Sequence, residues 1–236
     1  MQINIKLLFF LLLISPNAFS ENFYSNCPVP SGSIGSIKTE SEKFTLFKLN
    51  NGEVGGCSTD RKSRHGAPYW ERVELAQRGT LSKNKTHEIE FKIKILEGMT
   101  EDRETFFQIH NYRDNDSKNF SPSLMLKFSQ QMLRVDFLNA NNSHAYEYIK
   151  NPIFRDLENY YNKSYHFKII ISNLEPQNNF GETTIIVNNK VLFSGYPTFF
   201  PKDGTPRIKY GIYRPGNKEK NKTSSILYSE IKIHSY

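Results

Sequence analysis

The sequence predicts an all-β protein, built as a two-sheet sandwich of the jelly-roll type. Between residues 44 and 234, short segments of alternating apolar and polar residues recur with turn residues between them, and helical patterns are almost absent. Aromatic residues make up 14% of the chain, which is enough apolar area to offset the entropy cost of ordering. No linker or internal repeat divides residues 21–236, so we expect one domain there.

The individual strands follow from the two-residue period. In His87–Ile95, four apolar residues alternate with glutamates and lysines, which predicts a half-buried strand. Asn188-Asn189 predicts a tight hairpin turn, and Pro152–Tyr160 is the only helix candidate. The other predicted strands are Phe44–Leu49, Trp70–Leu75, Thr105–Tyr112, Ser123–Phe128, Met132–Leu138, Tyr165–Ser172, Thr183–Val187, Val191–Gly195, Arg207–Tyr213 and Ser225–His234.

Residues 1–20 have the pattern of an export signal. A short basic start containing Lys6 precedes the apolar run Leu7–Ile14, and Ala18-Phe-Ser20 has the small-x-small form of a cleavage site. The run is too short to cross a membrane, which takes about 20 residues. We therefore expect a secreted or periplasmic protein, whose formal charge of +7 becomes +6 when Lys6 is removed.

The two cysteines predict a disulfide. In an exported protein Cys27 and Cys57 are expected to pair, which would pin the N-terminal segment to the Gly55-Gly56 turn. Two cysteines do not make a four-ligand zinc site, and no His/Asp/Glu cluster appears at ligand spacing. We expect no catalytic metal and no cofactor, and we leave a structural calcium ion open.

Three predicted strands carry polar side chains on one face. If the strands are neighbours, these side chains form a cationic floor that can also donate hydrogen bonds. Gly211 lies within this floor and indicates close approach by a ligand or by another backbone. His65, beside Arg64, either lines the same cleft or belongs to a plain surface loop. The floor residues are Arg72, Glu74, Gln108, His110, Arg207, Lys209 and Tyr213.

These residue types suit β-elimination on a uronate. In that reaction a base removes the C5 proton, an acid protonates the departing O4, and neutralising the carboxylate stabilises the enolate-like transition state. A tyrosine can act if cations lower its pKa from about 10. Lys209 and Arg207 share the predicted strand face of Tyr213, as that requires, and His110 can be a base or a charge neutraliser.

The motifs in these strands resemble the three signature strands of jelly-roll polysaccharide lyases, which have a concanavalin A-like sandwich. Alginate lyases of this type carry R-x-E-L-R, Q-I-H and Y-F-K-x-G-x-Y in this order. The third motif is also similar to the K-x-G-x-Y-R segment of heparin lyase I and glucuronan lyase. The resemblance spans roughly residues 60 to 236, and its segments are Arg72-Val-Glu74-Leu75, Gln108-Ile-His110 and Lys209-Tyr-Gly-Ile-Tyr213-Arg214.

The resemblance implies specific roles. Tyr213 would be the catalytic acid/base with His110 as its partner, while Gln108 and Arg72 would bind and neutralise the substrate carboxylate. Lys209 would be an auxiliary cation. We add Arg207, Glu74 and His65 to the substrate-binding set, and expect Glu74 to orient an arginine.

Two departures from the family pattern leave the sugar open among alginate, glucuronan and glycosaminoglycan-like chains. Ala76 replaces the second arginine of the first motif, and Arg207-Ile208 replaces the Tyr-Phe pair. His144 is a candidate for the rim of the cleft, and for Trp70 core packing is favoured over stacking on a sugar ring.

Other functions are weighed against this one. A noncatalytic lectin or carbohydrate-binding module remains the alternative, because fold does not determine function. A retaining hydrolase needs two carboxylates about 5 Å apart, whereas Glu88 and Glu90 alternate with lysines on a solvent face. Scattered lysines and the export signal disfavour a nucleic-acid partner. We expect a monomer that binds an acidic polysaccharide and no membrane after signal removal.

Overall fold

Alternating apolar and polar residues form fifteen strands and two antiparallel sheets in the described part of the chain. A computed structural model describes residues 22–39, 41–99, 103–112, 122–130, 132–141, 143–149, 161–172, 181–199, 205–217 and 222–236. The strands are β1 (Phe23–Tyr24), β2 (Ile34–Lys38), β3 (Lys43–Leu49), β4 (Trp70–Gln77), β5 (His87–Glu97), β6 (Glu104–Tyr112), β7 (Leu124–Ser129), β8 (Met132–Leu138), β9 (His144–Ile149), β10 (Ser164–Ser172), β11 (Glu182–Val187), β12 (Lys190–Gly195), β13 (Thr205–Pro215), β14 (Ser224–Tyr228) and β15 (Lys232–Ser235).

The strands form a two-sheet sandwich, so the predicted fold class is confirmed. The first sheet has the order β1-β4-β13-β6-β7-β8-β9. The second has the order β12-β11-β10-β5-β14-β3-β2, and β15 also pairs with β5. Strands distant in sequence are neighbours in both sheets, as β4, β13 and β6 are in the first.

Aromatic rings fill much of the space between the sheets. Phe91 of the second sheet stacks on Phe167 at 5.2 Å and on Phe107 of the first sheet at 5.0 Å. Phe106 stacks on Phe128 at 4.6 Å. All of these rings are buried, and full burial of one such side chain contributes about 1.5–3 kcal/mol.

The structure differs from the predicted strands in a few places. The predicted Ser225–His234 strand divides into β14 and β15, because the chain from Tyr228 to Lys232 is one residue longer than the stretch of β5 that it pairs with. Strands β1, β2 and β9 are additional. The predicted Asn188-Asn189 turn is confirmed, with φ values of 48° and 65°. The helix candidate Pro152–Tyr160 and the export signal lie outside the described residues.

The predicted disulfide is present. Cys27, which follows β1, bonds to Cys57 in the loop before β4, and their Cα atoms are 5.1 Å apart. The bridge therefore ties the N-terminal segment to the loop that leads into β4.

A buried ion cluster joins the strands at one end of the sandwich. Arg214 of β13 is 1% exposed, and its Nε lies 2.6 Å from Glu71 Oε2 of β4. Its Nη1 lies 2.9 Å from Glu104 Oε1 of β6 and 2.7 Å from the Ser224 hydroxyl of β14. The Ser224 hydroxyl also donates to Glu104, at 2.8 Å. Because removing one partner would leave a buried charge unpaired, this cluster holds β13 against both of its neighbours.

Gly211 allows β13 to pair closely with β4. Its φ is +136°, and a Cβ atom there would lie 2.2 Å from the carbonyl oxygen of Val73. Of the two explanations that the sequence leaves open, the neighbouring backbone is therefore the one that the structure supports.

We expect Gly211→Ala to destabilise the protein by about 2–4 kcal/mol, since the methyl group clashes with β4 and the backbone conformation is strained. Gly79→Ala is the matched control, because Gly79 is exposed and its nearest neighbouring atom would be 3.9 Å away. Urea unfolding of both variants measures the difference. Equal midpoints for Gly211→Ala and wild type would contradict the packing argument.

Candidate active site

The three strands singled out by their polar faces lie side by side. In the register of the first sheet, Tyr213 is opposite Arg72 and Arg207 is opposite His110. Lys209 is opposite Gln108 on one side and Ala76 on the other. The face that carries these side chains points away from the core, because their chain neighbours are the core residues.

A cleft of about 510 Å³ lies over this face. Arg207 and Glu74 are not among its lining residues, although both are on lining strands. The predicted residues that line it are Arg72, Gln108, His110, Lys209, Tyr213, His65 and His144. The cleft is also lined by residues that the sequence did not assign to the site, among them Arg64, Trp70, Arg103, Lys127, Arg134 and Asp136.

Tyr213 contacts three other residues that line the cleft. Its ring stacks on Trp70 with centroids 4.9 Å apart and planes 24° apart. The guanidinium carbon of Arg72 lies 4.3 Å from the centroid of the same ring. Arg64 Nη2 donates a hydrogen bond to the phenol oxygen. Trp70 is thus a half-buried wall of the cleft, and the core packing expected for it is wrong.

The pKa of the Tyr213 phenol is raised rather than lowered. Burial raises the pKa of Tyr213 to about 12, and the nearby charges of Arg72 and Arg64 only partly oppose this. The condition considered from the sequence, a pKa lowered by Lys209 and Arg207, is therefore not met, because burial dominates and the cations that act on the phenol are Arg72 and Arg64. At neutral pH Tyr213 is a neutral phenol that holds a proton to donate.

Arg64 reaches Tyr213 from a tight turn. Its backbone N–H and carbonyl both bond to Ala67, each at 3.0 Å. His65 and Gly66, between them, have φ values of 52° and 81°, as a type I′ turn requires. The His-Gly pair indicates such a turn in the sequence. Nothing in the sequence shows that Arg64 would contact a residue 149 positions away.

Arg72 is held by a buried carboxylate. Its Nη2 lies 2.9 Å from Oδ1 of Asp60, whose side chain is fully buried, and its Nη1 lies 3.7 Å from Cys57 Sγ. Asp60 in turn accepts a hydrogen bond from the Cys57 N–H at 3.2 Å. The loop that contains Cys57 therefore positions the Asp60 carboxylate, which orients Arg72.

Glu74 is a buried member of the floor and contacts two of the other members. Its Oε1 accepts a 2.6 Å hydrogen bond from Gln108 Nε2, and its Oε2 is 3.6 Å from Arg72 Nε. Because Glu74 is only 2% exposed, these contacts suit orientation of Gln108 and Arg72 rather than contact with a ligand.

His110 has the protonation state of a base. Its Nδ1 lies 2.8 Å from the carbonyl oxygen of Asn111. A carbonyl only accepts, so Nδ1 carries the hydrogen and Nε2 is the basic nitrogen of the neutral ring. Burial, assisted by the charge of Lys209, holds the pKa of His110 well below 6.5. The ring is therefore neutral at physiological pH.

Lys209 is a buried cation whose charge is sensitive to pH. It is 3% exposed, and burial lowers its pKa to about 8 even though Glu74 favours the charged form. It remains mostly protonated at neutral pH and loses its charge in mildly alkaline solution.

The described ranges contain no group of three or more His, Cys, Asp or Glu side chains that could hold a metal ion. They also contain no helix long and apolar enough to cross a membrane.

Comparison with known proteins gives one family. The model of the polysaccharide lyase family matches residues 40–232. No curated protein sequence matches the chain.

Solved structures of similar fold include lyases. The endo-β-1,4-glucuronan lyase from the fungus Trichoderma reesei has a TM-score of 0.62 and 11% identity, over 86% of this chain and 87% of that one. The family 7 alginate lyase A1-II′ in complex with product has a TM-score of 0.59 and 14% identity, over 88% and 85%. An alginate lyase from Pseudomonas aeruginosa has a TM-score of 0.57 and 14% identity, over 88% and 87%.

Identities this low show a common fold, whereas the family model covers most of the chain. The chain therefore belongs to the polysaccharide lyase family, and the protein is a polysaccharide lyase.

Proposed function

We propose that this lyase cleaves a uronate-containing polysaccharide by β-elimination, with His110 as base and Tyr213 as acid. The observation that carries the proposal is that one cleft holds a neutral histidine, a protonated tyrosine and an excess of positive charge. The similar folds of a glucuronan lyase and of alginate lyases support an acidic sugar chain as substrate.

The charge balance of the cleft favours a carboxylate ligand. Three cations, Arg64, Arg72 and Lys209, adjoin two carboxylates, Asp60 and Glu74. One uronate carboxylate would bring this set to neutrality. In so buried a site, neutralising that group stabilises the negative charge that develops as C5 loses its proton.

The proton transfers then balance. The C5 proton passes to His110 Nε2, the electron pair of the C5–H bond forms the C4–C5 double bond, and the bond from C4 to O4 breaks. Tyr213 gives its proton to O4, which leaves as the hydroxyl of the released chain. Exchange with solvent afterwards restores neutral His110 and protonated Tyr213.

In this mechanism Arg64 assists Tyr213, the proton donor. The phenol becomes a phenolate as it gives up its proton, and the Arg64 guanidinium already donates to that oxygen. A charged hydrogen bond strengthens as negative charge develops on its acceptor. We therefore assign Arg64 to stabilisation of the tyrosinate, a role that the sequence motifs do not cover.

We also propose that the protein reaches its substrate outside the cytoplasm, as a secreted or periplasmic enzyme. The support is the signal-like pattern of residues 1–20.

We expect purified protein to release unsaturated products from alginate, polyglucuronate or a heparin-type chain, measured as ultraviolet absorbance of the new conjugated double bond. Tyr213→Phe should lower kcat by about 100- to 10,000-fold, because it removes the proton donor. Tyr196→Phe is the control, since Tyr196 is 64% exposed and lies outside the cleft lining. Binding of these chains without any rise in absorbance would favour the lectin alternative, and full activity of Tyr213→Phe would refute the mechanism.

Arg64→Gln should lower kcat by about 100-fold, the usual loss when one donor to a developing oxyanion is removed. KM should change much less, because the contact strengthens only as the phenolate forms. Arg61→Gln is the matched control, since Arg61 is exposed and lies only three residues earlier in the same loop. Equal kcat values for the two variants would remove Arg64 from the mechanism.

The pH profile should show two limbs. Activity should rise with pH as His110 loses its proton, at a pKa well below 6.5, because the base must be neutral. It should fall around pH 8, where Lys209 loses the charge that attracts the carboxylate. Measurement of kcat/KM against pH tests both limbs. The residual activity of Lys209→Met should lack the fall near pH 8, and a fall that persists there would assign it to another group.

A further inference from the structure

A second polar cluster lies on the same face of the first sheet, away from Tyr213. Lys127 on β7 and Arg134 and Asp136 on β8 line the cleft. Tyr146 and Tyr148 on β9 adjoin them at the edge of the sheet. The proposed mechanism uses none of these side chains.

The register places this cluster in line with the catalytic tyrosine. Tyr213 pairs with Thr105, Thr105 with Lys127, and Lys127 with Arg134, so that the row runs straight across the strands. Neighbouring strands are about 4.8 Å apart, which puts Arg134 roughly 14 Å from Tyr213. A few linked sugar residues span such a distance.

The cluster has an excess of positive charge. Asp136 contacts both cations: Lys127 Nζ at 2.7 Å, and Arg134 through Nε at 2.5 Å and Nη2 at 3.1 Å. The three side chains are 12%, 16% and 8% exposed, in the order Lys127, Arg134, Asp136. Among the described residues, the Asp136 carboxylate thus pairs with both Lys127 and Arg134, and both cations remain accessible from the cleft.

An exposed aromatic ring extends the cluster. The guanidinium of Arg134 lies 4.0 Å from the ring centroid of Tyr146, which is 60% exposed. Tyr148 meets Tyr146 edge to face at 5.7 Å. A tyrosine held in place in this way presents an apolar ring and a polar hydroxyl, which suits the mixed surface of a sugar ring.

We infer that Lys127, Arg134 and Tyr146 form a distal binding site for a uronate residue of the substrate chain. The carboxylate of that residue contacts the two cations, and its ring lies against Tyr146. The inference rests on the proposed function, because its ligand is the same polysaccharide that Tyr213 acts on. The site gives long chains a contact that short oligosaccharides cannot reach, so the enzyme prefers polymer.

The test compares Arg134→Gln and Tyr146→Ala with wild type on the polymer and on oligosaccharides of increasing length. We expect KM for the polymer to rise about tenfold with kcat unchanged, the loss typical of one aromatic or charged contact. Cleavage of the shortest substrates should be unaffected. Tyr196→Ala is the matched control, since Tyr196 is equally exposed, at 64%, and follows β12 of the other sheet.

Two further measurements make the outcome decisive. Methyl esterification of the polymer should abolish the effect of Arg134→Gln and preserve that of Tyr146→Ala. Affinity for the polymer, measured without turnover, should fall in both variants. If wild type binds polymer but does not cleave it, the proposed function fails while the affinities still test the distal site. Unchanged affinity in both variants, or an equal loss on the shortest substrates, overturns the inference.

Discussion

The pairing of β13 between β4 and β6 is the constraint on which the site depends. Each strand carries part of the polar floor, and only this order puts Arg72, Tyr213 and Gln108 within reach of one another. On the inner side of the same strands, Arg214 bonds to a glutamate of each neighbour. The alternation of a β-strand therefore lets one segment carry a structural arginine and the proposed catalytic tyrosine at adjacent positions.

Burial determines the protonation states of three floor residues. It keeps the proton on Tyr213, removes it from His110, and weakens its hold on Lys209, so three groups in one cleft titrate in different pH ranges. Such separation of pKa values is how one site can hold an acid and a base at the same pH. In the proposed mechanism, the excess positive charge then favours binding of a substrate carboxylate.

Local patterns were sufficient wherever neighbours along the chain decide the outcome. The two-residue period of His87–Ile95 predicted β5, and Asn188-Asn189 predicted the turn between β11 and β12. Both predictions succeeded because alternation and positive φ are local properties. Local patterns failed where one extra residue in a strand shifts its pairing register with the neighbouring strand. Strict alternation from Gln108 would turn Phe106 toward the cleft, but a bulge between Thr105 and Phe107 returns its ring to the core.

By itself, the sequence determined the sandwich fold and the disulfide, together with the polar faces of the three central strands, since these follow from periodicity, cysteine count and residue type. Only the tertiary structure decided which cations face Tyr213. Arg64 and Asp60 come from the loop before β4, and their contacts with Tyr213 and Arg72 depend on how that loop folds over the sheet. The pKa values were likewise decided by the fold, because the loss of water around each group depends on everything packed against it.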